Sequence, residues 1–297
     1  MFLILDQVPA DFSLRLKRVA DRKGVETLFL TSAEIVRSSA LVFYVSTHDV
    51  HLRLRVQDRT VELPDLDGVY CGINTFEPGL WEWFSPEDAE YAAKETQALW
   101  LAILASLPCR VVNPPALDTL AGTLLFWPEL LYLAHRLGFH IPMVITLESG
   151  SVAAELLTAG VSARYACLGE SRIREASFRP EDASSLAQRQ DHILVVEEVP
   201  GRPVYVTLVG GRTFACAPDA GGSAHPVPAS DIPRQIRTRL RTLHRQLNLN
   251  LAEYAFRVMA DGTWVFAGCG RPPVFAVAAY GDALFAQIVD FAMAAGG

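Results

Sequence analysis

The stretch TWVFAGCGRPP, residues 263–273, is an apolar run that ends in Gly268, Cys269 and Gly270. It could hold a nucleophile, cradle a phosphate or simply finish a strand. A nucleophilic Cys269 needs a neighbour that lowers its pKa, and no His, Lys or helix start lies close in the sequence. A phosphate loop needs more than Gly-x-Gly and should run into a helix. A structural strand end is the better reading. His48 and His51 bring two imidazoles together, but the alternation around them predicts a strand rim with no third metal ligand. Glu197, Glu198 and Val199 close another apolar run. Trp81, Trp83 and Phe84 form the most aromatic local cluster, either core beneath the following helix or an exposed patch for a partner.

These candidates need a scaffold. With 297 residues, 51% of them hydrophobic, the chain can bury a full core in two or three lobes. No apolar run reaches the roughly 18 residues of a membrane span. The opening MFLILDQVPADF lacks a cationic stretch and reads as a first core strand, not a signal peptide. Cys71, Cys109, Cys167, Cys216 and Cys269 are odd in number and scattered beside apolar segments, which predicts buried thiols in a reducing cytoplasm. A net charge of -7 argues against a nucleic-acid platform. The only lysines are Lys17, Lys23 and Lys94; every other cationic side chain, histidine aside, is arginine. Codon preference explains most of that bias. It still excludes any mechanism that needs a lysine beyond residue 94.

Periodicity predicts strands at 2–5, 26–30, 41–45, 52–56, 61–63, 68–71 and 110–112, with helices at 12–22 and 85–107. Ser85 caps the second helix, with Pro86, Glu87 and Asp88 in its first turn. Asn113, Pro114 and Pro115 break the last strand and close a βα-rich lobe at 1–115. A central lobe at 116–190 has helices near 124–137 and 153–158, strands near 143–146 and 163–168, and a polar, irregular end. The third lobe, 191–297, is rich in hairpins: strands at 193–199, 204–209, 212–217, 254–259 and 264–267, with helices at 232–247 and 282–294. Gly210–Gly211 and Asp261–Gly262 supply its tight turns.

In this order, VVNPPALDTLAGTLLFWPELLYLAHRLGFHIP (111–142), VVEEVPGRPVYVTLVGGRTFACA and LNLAEYAFRVMADGTWVFAGCG resemble the ATP-grasp superfamily. The nearest likeness is to its peptide-modifying branch, the graspetide macrocyclases of the microviridin type. The resemblance spans essentially the whole chain. It implies a mixed α/β and α+β fold: an N-terminal βα lobe, then two α+β lobes facing across a nucleotide-type cleft. Such enzymes use ATP and two magnesium ions to activate a carboxylate as an acyl phosphate, then couple it to an amine or hydroxyl.

The resemblance also marks departures. Where the family has a phosphate-binding lysine before the Gly-Phe-x-Ile-Pro turn, this chain reads Trp127. A second lysine is replaced by Ala166 or Cys167, and a third-lobe arginine by Tyr205. The metal-binding Asp becomes Ala255, and the Glu-x-Asn pair becomes Gly268 and Gly270. Magnesium needs oxygen ligands, which glycine and alanine side chains lack. The expectation is therefore a catalytically degenerate ATP-grasp protein with no catalytic or metal residue and no cofactor. It would act as a binding or scaffolding partner, as a homodimer or beside an active relative, with a peptide as a further partner. Relatives touch adenine mainly through backbone groups, so Glu197 and Glu198 mark a site of residual nucleotide binding. ATP and magnesium enter fully only under the alternative, a divergent ligase that recruits Glu253 or Asp261.

Overall fold

The structure is a computed structural model. It describes residues 1–46, 50–56, 59–117, 119–123, 125–147, 151, 155, 163–167, 184, 193–219 and 221–294. The helix expected at 153–158 and the polar run 169–190 lie largely outside the described residues, as does His48.

The chain forms two compact units. The first comprises Met1–Leu125, Tyr205–Glu253 and Gly270–Gly297, and the second comprises Phe126–Val204 and Tyr254–Cys269. These limits do not coincide with lobe boundaries at 115 and 190, because contacts group segments far apart in the sequence.

The first unit is organised by a parallel sheet of β1 (Phe2–Asp6), β2 (Thr27–Thr31), β6 (Gly68–Cys71) and β7 (Arg110–Val112), in the order β2-β1-β6-β7. The apolar run FLILD is buried throughout, as a strand covered on both faces must be. On one face, Phe2 and Ile4 join Leu16 and Val19 of α1 (Asp11–Arg22) and Leu284, Phe285 and Ile288 of the last helix, Asp282–Met293. On the other, Leu3 and Leu5 join Ala93, Trp100 and Ile103 of the long helix Pro86–Ser106. Ser85 caps that helix as expected, accepting from the Asp88 amide.

A short helix, α2 (Ser32–Ser38), escapes the periodicity argument because seven residues give barely two turns. Its signal is a capping box. The Glu34 carboxylate accepts from the Thr31 amide at 2.8 Å, and Thr31 Oγ1 accepts from the Glu34 amide at 3.2 Å. Beyond it, β3 (Ser39–Val45), β4 (Val50–Val56) and β5 (Arg59–Glu62) form a separate antiparallel sheet. With the long helix numbered α3, the next is α4 (Trp127–Arg136).

In the second unit, β8 (Val144–Leu147), β10 (Ile193–Glu197) and β9 (Ala163–Cys167) form an antiparallel sheet in the order β8-β10-β9. A five-stranded sheet contains β11 (Arg202–Val209), β12 (Arg212–Pro218), β13 (Ala224–Val227), β14 (Leu251–Val258) and β15 (Trp264–Gly270), in the order β13-β12-β11-β14-β15. The first-unit helices α5 (Arg234–Gln246) and α6 (Val274–Tyr280) precede the last, α7 (Asp282–Met293).

The β11–β12 turn needs one positive φ, at Gly210 (+56°), not at both glycines. A Cβ at Gly210 would also lie 2.5 Å from the Phe291 ring. Asn113 is more than a strand break. It sits buried at φ +57°, its amide oxygen accepts from Asn250 N (2.8 Å) and Leu251 N (2.7 Å), and its amide nitrogen donates to the Leu251 carbonyl (2.8 Å). A single side chain thus ties the end of β7 to the start of β14. Among the described residues, no single helix is long and apolar enough to cross a membrane.

Candidate functional site

In the second unit, α4 opens with Trp127 and Pro128, and Pro128 costs nothing in a first turn whose N–H groups have no helical acceptor. The Trp127 indole packs on Leu194 and Val196 of β10 and Val144 of β8. Its Nε1 donates to the Ala267 carbonyl on β15 at 3.2 Å. Gly268 is what admits the ring: a Cβ there would sit 3.3 Å from Nε1, closer than ordinary contact. Ala166 is on β9, paired in register with Leu194. Trp127, Gly268 and β10 therefore come together, and an apolar ring stands where the resemblance implies an ammonium group.

Glu197 ends β10 with its backbone amide donating to the Met143 carbonyl and its carboxylate accepting from the Met143 amide, each at 2.9 Å. Its side chain fastens strand to strand. Glu198 is half-buried, and Val199 follows in irregular backbone.

In the first unit, Tyr205 on β11 stacks face to face on Phe275 of α6, ring centres 3.7 Å apart and 16° from parallel. The position implied for an arginine is one half of an aromatic pair. Below it, the Glu253 carboxylate is buried (6% exposed) and gathers donors: Phe275 N at 3.2 Å, Ala276 N at 2.8 Å and Thr207 Oγ1 at 3.3 Å. Burial raises its pKa, and the amides of Ala276, Phe275 and Val274, with the Thr207 hydroxyl, oppose the rise. Glu253 serves as the missing cap of α6.

That helix corrects the reading that no helix follows Gly270: α6 begins at Val274. Its leading amides are taken by Glu253, so the Gly-Cys-Gly segment gains no anion site. The signal was present in Pro272–Pro273, since proline favours the first turn of a helix. β15 also runs through Gly270, so the glycines continue the strand three residues past its expected end.

Asp261 is spent locally, its Oδ1 accepting from Thr263 N at 2.9 Å in an exposed turn. Among the described residues, no group of three or more His, Cys, Asp or Glu side chains is placed to hold a metal ion. Ala255, Gly268 and Gly270 bring no side-chain oxygen. Burial, with the Glu253 charge adding, pushes the Cys216 thiol up to about 12, and burial pushes Cys71 to about 12 as well. His51 is on β4, in register with Tyr44.

The aromatic cluster divides. Trp81 is 7% exposed and packs edge-on against Phe76 in the core of the first unit. Trp83 and Phe84 are 55% and 46% exposed, with ring centres 6.0 Å apart. Arg37 lies over the Trp83 ring and pairs with Glu82 at 3.0 Å.

No family model matches the chain, and no curated protein does. Solved structures do. The macrocyclase MdnC of Microcystis aeruginosa, bound with its precursor peptide MdnA, superposes with a TM-score of 0.74 at 17% identity, covering 100% of both chains. A RiPP-associated ATP-grasp ligase of Chryseobacterium gregarium, in complex with ADP and a leader and core peptide, gives 0.73 at 13% identity, over 100% of this chain and 97% of that one. The M. aeruginosa macrocyclase MdnB gives 0.71 at 18% identity over 99% of each. The fold is that of the ATP-grasp peptide ligases, across the full length of the chain.

Proposed function

We propose that this ATP-grasp fold is catalytically silent, and that the protein binds a peptide and acts as a scaffold beside an active ATP-grasp ligase in peptide modification. The observation that carries this reading is the Trp127 indole, seated on Val144, Leu194 and Val196 and bonded to the Ala267 carbonyl. Stabilising a transferring phosphoryl group requires fixed cations and metal ions. By the resemblance, an indole, a stacked tyrosine, two glycines, Ala255 and either Ala166 or Cys167 take the positions that would supply them, and these side chains do not fit magnesium-ATP. The carboxylates that a divergent ligase would recruit are committed elsewhere, Glu253 to the start of α6 and Asp261 to its own turn. The solved ligases bound to precursor peptides support a peptide as the ligand.

Calorimetry with magnesium-ATP should give a dissociation constant weaker than about 1 mM, and Trp127→Lys should not restore turnover. ATP hydrolysis by the wild type that vanishes in Asp261→Ala would sink this reading and establish the divergent ligase instead.

A further inference from the structure

The parallel sheet of the first unit has a reversal point. β1 and β6 are adjacent and parallel, yet the helices that follow them lie on opposite faces, α1 with Phe2 and Ile4, α3 with Leu3 and Leu5. At such a point the outgoing loops diverge and leave a crevice beyond the carboxyl ends of the two strands. Asp6 ends β1 there, and Gly72 follows β6, its amide donating to the Leu5 carbonyl at 2.7 Å.

Asp6 is 8% exposed. Its Oδ1 accepts from Gln7 N at 2.8 Å, but among the described residues no donor or cation reaches Oδ2. Oδ2 is not sealed from solvent, so water, or a ligand in its place, can reach it at the end of the strand. Gly72 permits the arrangement, because a Cβ there would lie 2.8 Å from Asp6 Oδ1 and 3.4 Å from Tyr70 Cε1. The carboxylate and the Tyr70 ring therefore meet at one point on one face of the sheet. The Tyr70 hydroxyl has no hydrogen-bond partner among the described residues. Burial raises its pKa strongly, the Asp6 charge adds to this and Arg271 opposes it, so the hydroxyl stays protonated. On the other face, Gln97 of α3 ties down the loop after β6, its Nε2 donating to the Asn74 carbonyl at 3.2 Å. Arg271, the cation felt at Tyr70, donates to the Ala121 carbonyl.

We propose that this crevice binds the α-ammonium group of an amino acid or of a peptide amino terminus, on the carboxylate of Asp6 and the hydroxyl of Tyr70. An ammonium group brings three donors to a carboxylate oxygen and a hydroxyl that no protein group among the described residues engages, and replaces water there. The positive charge of Arg271 nearby favours a ligand that also carries a carboxylate or carbonyl. The site lies wholly within the first unit and does not depend on whether the protein turns over ATP.

Titration of the full-length protein with glycine and with triglycine amide, followed by calorimetry, tests this. Saturable binding in the millimolar range by either is expected; preference for glycine identifies a free amino acid, and preference for the tripeptide a peptide end. Asp6→Asn, which keeps the acceptor for Gln7 N, should weaken binding at least about tenfold. Tyr70→Phe keeps the ring in the core and should weaken it severalfold, which holds the test open if the first variant misfolds. Glycine that binds both variants as it binds the wild type, or no saturable response up to about 10 mM, overturns the assignment.

Discussion

His244, on α5, shows how a single side chain sets the response of the fold to acid. It is 6% exposed, and burial lowers its pKa to about 4, with a hydrogen bond at the Asn250 backbone opposing the fall. The unfolded chain takes up a proton near the ordinary value of 6.5, before the native state does. Stability is therefore intact above 6.5 and lost as the pH falls from there towards 4, by about 3 kcal/mol at most. Urea unfolding at pH 7 and pH 4.5 should show the wild type losing more stability than His244→Gln; equal losses would rule His244 out as the source. Glu253 works in the opposite sense. Its raised pKa means the native state holds its proton more tightly, so its contribution falls as the pH rises from 4.5. Comparing variant with wild type cancels that second slope.

At the scale of elements, α7 lies against β6 with no side chain between them at one position. A Cβ on Gly68 would meet the Ala292 carbonyl oxygen at 2.5 Å, and that atom is backbone and cannot turn aside. Gly68→Ala should cost about 1–3 kcal/mol in urea unfolding, while Gly79→Ala, with nothing within 4 Å of the added methyl, should cost close to nothing. Equal effects would mean that the helix does not sit where it is placed. Most elements of this kind were legible in the sequence: FLILD, the α3 cap at Ser85 and the hairpin at Gly210 each carry a local signal. What was not legible came from contacts between distant segments. The cap of α6 is a carboxylate from β14, β13 depends on pairing with β12, and the reach of Asn113 to Leu251 spans 138 residues. Trp127 was legible as a departure from a family pattern. Its partner carbonyl on β15 and the room left by Gly268 were not, since neither follows from spacing.

For the molecule as a whole, the association we propose has a narrower anchor than the sequence suggested. Trp81 belongs to the core, so its truncation would test folding rather than assembly. Trp83 and Phe84 are the exposed pair, and aromatic side chains of this kind dominate interface energetics. Trp83→Ala with Phe84→Ala should shift sedimentation toward the monomer and leave the urea midpoint nearly unchanged. A wild type that is monomeric at every concentration and captures no ATP-grasp ligase from its source cells would refute it. The packing of β1 against α7 carries a different consequence, for the order of events during synthesis. Phe2 and Ile4 leave the ribosome about 280 residues before their neighbours Leu284, Phe285 and Ile288. Every residue of the second unit has emerged by Cys269, whereas the first still waits for its closing helix. A nascent chain must therefore leave that apolar face open until α7 emerges, and the second unit is free to fold ahead of the first.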